Sequence, residues 1–342
     1  RGLGDVYKRQ LQNRINMKIL ITGVAGFIGS KLAYELTQRG NEVVGIDNIN
    51  DYYDTRLKEA RLRHFGNGWR FIRMDIADHK AIDKLFEHER FDKVMNLAAQ
   101  AGVRYSITNP YAYMQSNLLG FLNILESCRH HGVKYLVYAS SSSVYGMNTK
   151  TPFSEDDIVI SPVSLYAASK KSNELMAHAY SKLYKLPTTG LRYFTVYGPW
   201  GRPDMSPMLF AKAISKGEPI KVFNNGNMFR DFTYIDDIIE GTIRVINRMP
   251  AIEECANGVR ANVYNIGCGH TTHLMEFIGE IEKNLGKKAE KIYLPMQPGD
   301  VYQTFADTTK LEHERGYRPK ILLPEGIQRF VKWYRSEDNP IL

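Results

Sequence analysis

Two short stretches carry side chains that could move a proton. In SLYAASKKSNE, Tyr166 and Lys170 stand four residues apart, the spacing that puts two side chains on one face of a helix. A phenol of ordinary pKa ~10 is a poor base at neutral pH, and a neighbouring ammonium favours its ionised form. Such pairs are common on amphipathic helices, so this one acquires meaning only from its surroundings. In ASSSSVYG, four consecutive serines from Ser140 to Ser143 follow the apolar run KYLVY. A serine run in isolation reads as a linker. Hydroxyls leaving the C-terminal end of a buried parallel strand would instead stand at the sheet edge where ligands bind in open α/β folds.

The elements around these stretches alternate. MKILIT, EVVGID, WRFIRMD, KVMNLAA and KYLVYAS read as five buried strands, with helices expected over 27–39, 78–89 and 111–130 between them. A helix over 164–184 then carries Tyr166 and Lys170 and leads into TTGLRYFTV. Strands alternating with helices predict an α/β fold, a Rossmann-like doubly wound parallel sheet. An amphipathic insertion over 50–65 precedes the third strand. After Tyr197 the texture changes: GPWGRPDMSP is dense in Gly and Pro, and helices over 208–216 and 236–249 interrupt short strands. We expect a first domain over 17–195 and a smaller C-terminal α+β substrate domain over 196–342, with segments interleaved. Residues 1–16 lack apolar periodicity and a signal-peptide core; they read as a disordered or non-native extension before Met17.

Of the formal charge of +8, those sixteen residues contribute +3. The remaining +5 is modest, and no basic run with interleaved aromatics occurs, which argues against nucleic acid. No apolar stretch approaches the ~20 residues of a membrane span. Cys128, Cys255 and Cys268 share no metal-like or redox-like spacing, which points to a reducing, cytoplasmic setting. His130-His131 ends a predicted helix before Gly132, where imidazoles suit the dipole, and His270 and His273 sit in a polar loop without a nearby carboxylate partner, so no metal site is expected.

ITGVAGFIGS places Gly23, Gly26 and Gly29 between the first strand and the first helix. A glycine turn there lets the backbone approach a pyrophosphate, and the helix N-terminus supplies amides and a positive dipole. Asp47 closes the second strand, where a carboxylate accepts from both adenine-ribose hydroxyls and repels a 2′-phosphate. NAD is therefore the expected cofactor. Its positive nicotinamide ring would further favour a Tyr166 phenolate, and Lys170 could hold the nicotinamide ribose.

The GxxGxxG spacing together with YxxxK resembles the extended short-chain dehydrogenase/reductase superfamily. That resemblance implies that Phe27 and Ile28 contact the pyrophosphate, that Asp75 and Ile76 flank the adenine, and that Leu97, Ala98 and Ala99 line the nicotinamide side. It also assigns Asn48, Asn117, Tyr193 and Val196 to the cofactor. Counting back from VYG, Ser141 takes the catalytic Ser/Thr position, beside Ser142 and Ser143.

Sugar 4,6-dehydratases resemble this region but carry an Asp-Glu pair where this chain has Ser142-Ser143, and UDP-glucuronate decarboxylases carry a Glu before VYG. With only hydroxyls here, oxidation at C4, turnover of the keto-sugar and hydride return remain. Over 17–342 the chain is most similar to UDP-glucuronate 4-epimerases, through DNINDYYDTRLKEARL, AAQAGVRYS, FTVYGPWGRPDM and QPGD. The resemblance implies NAD-dependent conversion of UDP-glucuronate to UDP-galacturonate, with Gln100 and Arg104 near the sugar and Arg202 on the uronate carboxylate. Arg230 would hold a phosphate and Asp300 the uridine ribose, and Gln297 stands where UDP-galactose epimerases often have arginine. Ser142, Ser143, Thr195 and Arg202 would keep the carboxylate of the 4-keto intermediate out of line for CO2 loss. A homodimer through the helices over 111–130 and 164–184 is implied by the same analogy. Two alternatives stay open: a UDP-glucose or UDP-N-acetylglucosamine 4-epimerase, and a non-catalytic NAD-binding sensor.

Overall fold

The computed structural model describes residues 17–297 and 301–342; the N-terminal extension and Asp300 lie outside them. Seven strands form a wholly parallel sheet: β1 (Lys18–Thr22), β2 (Glu42–Asp47), β3 (Arg70–Arg73), β4 (Lys93–Asn96), β5 (Tyr135–Ser141), β6 (Thr188–Tyr193) and an edge strand, Ala261–Ile266. From that edge the order runs to β6, β5, β4, β1, β2 and β3. The chain therefore reverses direction between β1 and β4, and the crevice at their C-terminal ends is where such sheets bind ligands.

Strands buried on both faces must be apolar throughout, which is why KILIT and YLVYA read as runs rather than alternations. Ile19 and Ile21 pack into one core cluster and Leu20 into the other, across the sheet. Helices cover both faces: α1 (Phe27–Gln38), α2 (Thr55–Phe65), α3 (His79–Glu89), α4 (Tyr105–Thr108), α5 (Pro110–Tyr113), α6 (Gly120–His130) and α7 (Leu165–Tyr184). Helix α2 lies within the insertion and starts at Asp54, whose carboxylate accepts from the Arg56 amide at 3.0 Å. Such a cap satisfies an orphan amide of the first turn.

The single helix expected over 111–130 is interrupted. Between α5 and α6, Met114–Leu119 forms a π-helical turn. In it the buried Asn117 side chain accepts from the Gln100 amide at 2.7 Å and donates to the Gln100 carbonyl at 3.1 Å. Added residues of this kind are frequent beside functional sites.

Beyond β6 come β7 (Thr195–Tyr197), α8 (Ser206–Lys216), β8 (Ile220–Phe223), β9 (Phe229–Arg230), β10 (Phe232–Tyr234) and α9 (Ile235–Asn247). The small pairs β7–β10 and β8 with Lys291–Leu294 roof the crevice from this side. The sheet's edge strand, which we number β11, comes from beyond residue 196 and pairs with β6 residue for residue from Ala261↔Thr188 to Ile266↔Tyr193. No helix among the described residues is long and apolar enough to cross a membrane.

Candidate active site

The β1–α1 turn is shaped by what a side chain would strike. Gly23 has φ +71°, and a Cβ there would sit 2.7 Å from the Ala98 amide nitrogen; at Gly29 it would sit 2.3 Å from the Gly23 carbonyl. The turn hangs on β2 through Gly23 N–H and Val24 N–H, both donating to Ile46 O at 2.8 and 3.2 Å. Gly26 caps α1 without a side-chain partner, which leaves the first amides of the helix open to an anion. Asp47 ends β2 with its carboxylate accepting from Ala25 N and Ile49 N at 3.1 and 2.8 Å. Those bonds fix it beside the turn, and each oxygen keeps a lone pair for a ribose hydroxyl. Asn48 donates to Asp75 at 2.8 Å, joining the ends of β2 and β3 at the adenine end of the crevice. A dinucleotide fits these residues: a glycine cradle, an open helix N-terminus and a ribose-binding carboxylate in sequence along one groove.

At the end of β5 the serines divide. Ser140 spends its hydroxyl on Glu174, donating at 2.7 Å. Ser141 faces into the crevice, with its hydroxyl 3.2 Å from the Ser143 hydroxyl and accepting from the Ser143 amide at 3.2 Å. A 3₁₀ turn, Ser142–Tyr145, follows. The turn is anchored from behind: Tyr145 OH donates to Asn265 at 2.6 Å and accepts from Arg192 at 3.0 Å. Arg192 in turn grips Glu174 through Nε at 2.8 Å and Nη2 at 2.9 Å, both side chains being almost fully buried.

Tyr166, Lys170 and Glu174 recur every four residues along α7, so one stripe of that helix faces β5. Lys170 Nζ donates to Ala139 O at 2.9 Å. Burial pushes its ammonium down from 10.5 to about 8. Burial also raises the Tyr166 phenol, opposed first by the Ser141 hydroxyl and then by the charge of Arg202. The sequence reading gave that electrostatic help to Lys170; among the side chains of the structure it comes from Arg202, because Lys170 is drawn back onto a strand carbonyl.

Arg202 follows β7 in the Gly/Pro-rich run. Its Nε and Nη2 bind Asp204 at 3.0 and 2.5 Å, and Tyr52 OH donates to the same carboxylate at 3.0 Å. The pair holds Asp204 below the ordinary carboxylate range, and the Tyr52 phenol, half-buried and beside Asp204, is pushed up to about 12. Tyr52 and Asp204 were missed by sequence reasoning. Tyr52 belongs to the insertion, and nothing in its local pattern announces a partner 152 residues away.

All these elements surround one cleft of about 1150 Å³, above the 300–1,000 Å³ usual for a single small ligand. Among the described residues, it is lined by every cofactor and substrate residue expected from sequence except two. Asn117 is buried behind the wall, bonded to Gln100 and donating to Ser169 at 2.9 Å, so it braces the lining. Arg230 lies off the cleft and donates to the carbonyls of Phe229, Val301 and Tyr302. Asp300 lies outside the described residues. Across the cleft, Arg104 stacks its guanidinium over the Phe223 ring at 5.5 Å, and Gln297 presents a buried carbonyl oxygen with no partner among the described residues.

This sheet, its glycine turn and the Ser–Tyr–Lys set beside it define a class. The chain belongs to the NAD dependent epimerase/dehydratase family, whose pattern it matches over residues 19–267. It is 51% identical over 328 residues to Protein CapI of Staphylococcus aureus, covering 93% of this chain and 98% of that protein. It is 46% identical over 330 residues to the probable UDP-glucuronate 4-epimerase of Rhizobium meliloti, covering 93% and 97%. Among solved structures it is similar to the UDP-glucuronic acid 4-epimerase of Bacillus cereus in complex with UDP-glucuronic acid and NAD. That match has 35% identity and a TM-score of 0.84, and covers 93% of this chain and 98% of that one.

Proposed function

We infer that this protein converts UDP-glucuronate to UDP-galacturonate by NAD-dependent epimerisation at C4. The observation that carries the uronate assignment is Arg202, which lines the same cleft as Tyr166 and spends Nε and Nη2 on Asp204, with Nη1 outside those two bonds. A guanidinium presenting an open N–H edge forms strong charge-assisted bonds with a carboxylate.

When bound, NAD would be held by the glycine turn and Asp47 and would supply the hydride chemistry at C4 in both directions. The protein's own groups handle protons and position. Tyr166 takes the C4 hydroxyl proton and later gives it back to the new alcohol, with Ser141 sharing that proton through a hydrogen bond. Lys170 stands one turn behind Tyr166 as a cation for the cofactor ribose. Ser142, Ser143, Thr195 and Arg202 hold the carboxylate away from the geometry in which a β-keto acid loses CO2. Among the described residues, the Ser141–Ser143 turn offers hydroxyls and no carboxylate to remove a C5 proton, so elimination has no base in that turn. Arg230 and Asp300 remain the proposed UDP contacts, Arg230 needing a swing from the carbonyls it now holds.

A homodimer is part of the same proposal. Tyr111, Leu175 and Leu183 are 80, 60 and 68% exposed on α5 and α7, an apolar face that a second copy would cover. Three cysteines without a disulfide suit a reducing cytoplasm.

The test is direct. Purified protein is incubated with UDP-glucuronate, and UDP-galacturonate is followed by NMR with UDP-glucose as competitor. Product from UDP-glucose alone would sink the uronate assignment, and NAD binding with neither product would leave a sensor.

A further inference from the structure

Arg61, on α2, is fully buried. It forms five hydrogen bonds, as many as it has N–H groups. Nε and Nη2 donate to Trp200 O at 3.0 and 2.7 Å, and Nη2 also to Gly201 O at 3.2 Å. Nη1 donates to Ala25 O at 3.1 Å and to Tyr53 OH at 2.7 Å. Every acceptor is neutral. A buried guanidinium without a carboxylate is costly, so this one must be held for what it joins.

It joins two segments far apart in sequence. Ala25 is in the glycine turn, between Gly23 and Gly26. Trp200 and Gly201 immediately precede Arg202. Trp200 is held at φ +65°, a conformation unfavourable for a side-chain-bearing residue by about 1–2 kcal/mol. The insertion keeps it there: Arg61 takes its carbonyl, and the His64 and Phe65 rings pack on its indole at 4.8 and 5.9 Å. The same insertion supplies Tyr52 to Asp204, the partner of the Arg202 head group.

We propose that Arg61 ties the cofactor turn to the Arg202 turn, so that a dinucleotide seated on the first stiffens the second. Lysine at this position keeps the charge and loses the planar fork that reaches three carbonyls. Coupling is reciprocal: an unfastened Arg202 turn also weakens NAD binding. The consequence for carboxylate recognition rests on the uronate reading; the tie itself does not.

The experiment compares wild type with Arg61→Lys by hydrogen exchange at the Trp200 and Gly201 amides, with and without NAD, and by titration calorimetry with NAD. Trp200 and Gly201 do not line the cleft, so a bound dinucleotide cannot shield them directly. In wild type, NAD slows exchange at these amides by at least about fivefold, a low-end coupling factor. In Arg61→Lys that protection is lost and NAD binds about tenfold more weakly, the same order of coupling. Protection that persists in the variant, unchanged NAD affinity, or no protection in wild type overturns the tie. Should Arg61→Lys fail to fold, Tyr53→Phe removes one acceptor and keeps the charge; its NAD-induced protection must fall measurably, and an unchanged value overturns the tie. A third arm titrates NAD-loaded protein with UDP-glucuronate and with UDP, which lacks the carboxylate. Wild type that binds both equally defeats the uronate reading and leaves the exchange result to decide the tie.

Discussion

Replacing Arg202 by methionine removes a guanidinium that sits between two carboxylates, one belonging to Asp204 and one to the proposed substrate. The lost charge-assisted hydrogen bond to substrate is worth about 2 kcal/mol. A second term comes from what remains. Asp204 keeps only the Tyr52 hydroxyl among its side-chain donors, and its side chain is 28% exposed, so its charge is incompletely screened. A uronate carboxylate on the far edge of the missing guanidinium would lie about 5 Å from it, a repulsion of about 3 kcal/mol at an effective dielectric constant of about 20. Together the two terms lower kcat/KM for UDP-glucuronate by about 10³–10⁴-fold. Arg202→Met/Asp204→Asn removes the repulsion and should recover about 100-fold, the Coulomb part of the same sum. UDP carries neither term, so its affinity should stay within about twofold. Loss of Arg202 also removes a charge that lowers the Tyr166 phenol, so the acidic limb of the kcat/KM profile should move to higher pH. Initial rates by coupled NMR or chromatography, with UDP titrations alongside, decide the matter. A double variant as slow as the single one, or UDP binding that falls in parallel, refutes the reasoning.

The other groups give further tests. Lys170 has a lower pKa folded, about 8, than the 10.5 of an unfolded lysine, so between those values the unfolded chain binds more protons and stability rises with pH. NAD-free wild type should therefore gain up to about 3 kcal/mol relative to Lys170→Met from pH 8 to 10, read from paired urea titrations; a flat difference contradicts it. Glu174→Gln breaks a buried ion pair with Arg192 and should cost about 3–5 kcal/mol, and a loss below about 1 kcal/mol by denaturant unfolding would show the network slack. Ser143→Ala should release CO2 and a UDP-pentose alongside slowed epimerisation, and slow turnover without either product removes the carboxylate-holding role. Leu175→Asp/Leu183→Asp should sediment as a monomer if a second copy covers that face, and an unchanged dimer places the interface elsewhere.

What the sequence disclosed and what it hid divide along the range of the interactions. The strands of the sheet, the glycine turn and the four-residue spacing of Tyr166 and Lys170 rest on local rules of periodicity and backbone sterics, and their elements are where those rules put them. Ser141 was legible because its strand points it at the crevice. The bracing role of Asn117 was not legible, because an asparagine on an amphipathic helix looks the same whether its amide meets a ligand or braces the Gln100 backbone; the π turn that aims it has no signature in the pattern. The Arg61 and Tyr52 contacts span 139 and 152 residues, so no window of sequence contains both partners. Those two residues change the meaning of the insertion. By periodicity it is an amphipathic helix added before the third strand, and by contacts it is the frame of Arg202, with Tyr52 on the head group's partner and Arg61 on the backbone behind it. A uronate-binding arginine in a Gly/Pro loop would otherwise have the freedom of that loop, and a freely moving guanidinium could not keep a β-keto carboxylate from the alignment that expels CO2. Under the proposed function, protecting the intermediate would explain why so much buried polar structure is invested outside the reacting groups: the Ser142–Ser143 turn would offer hydroxyls and no carboxylate, and the frame would hold Arg202 in place while the sugar turns.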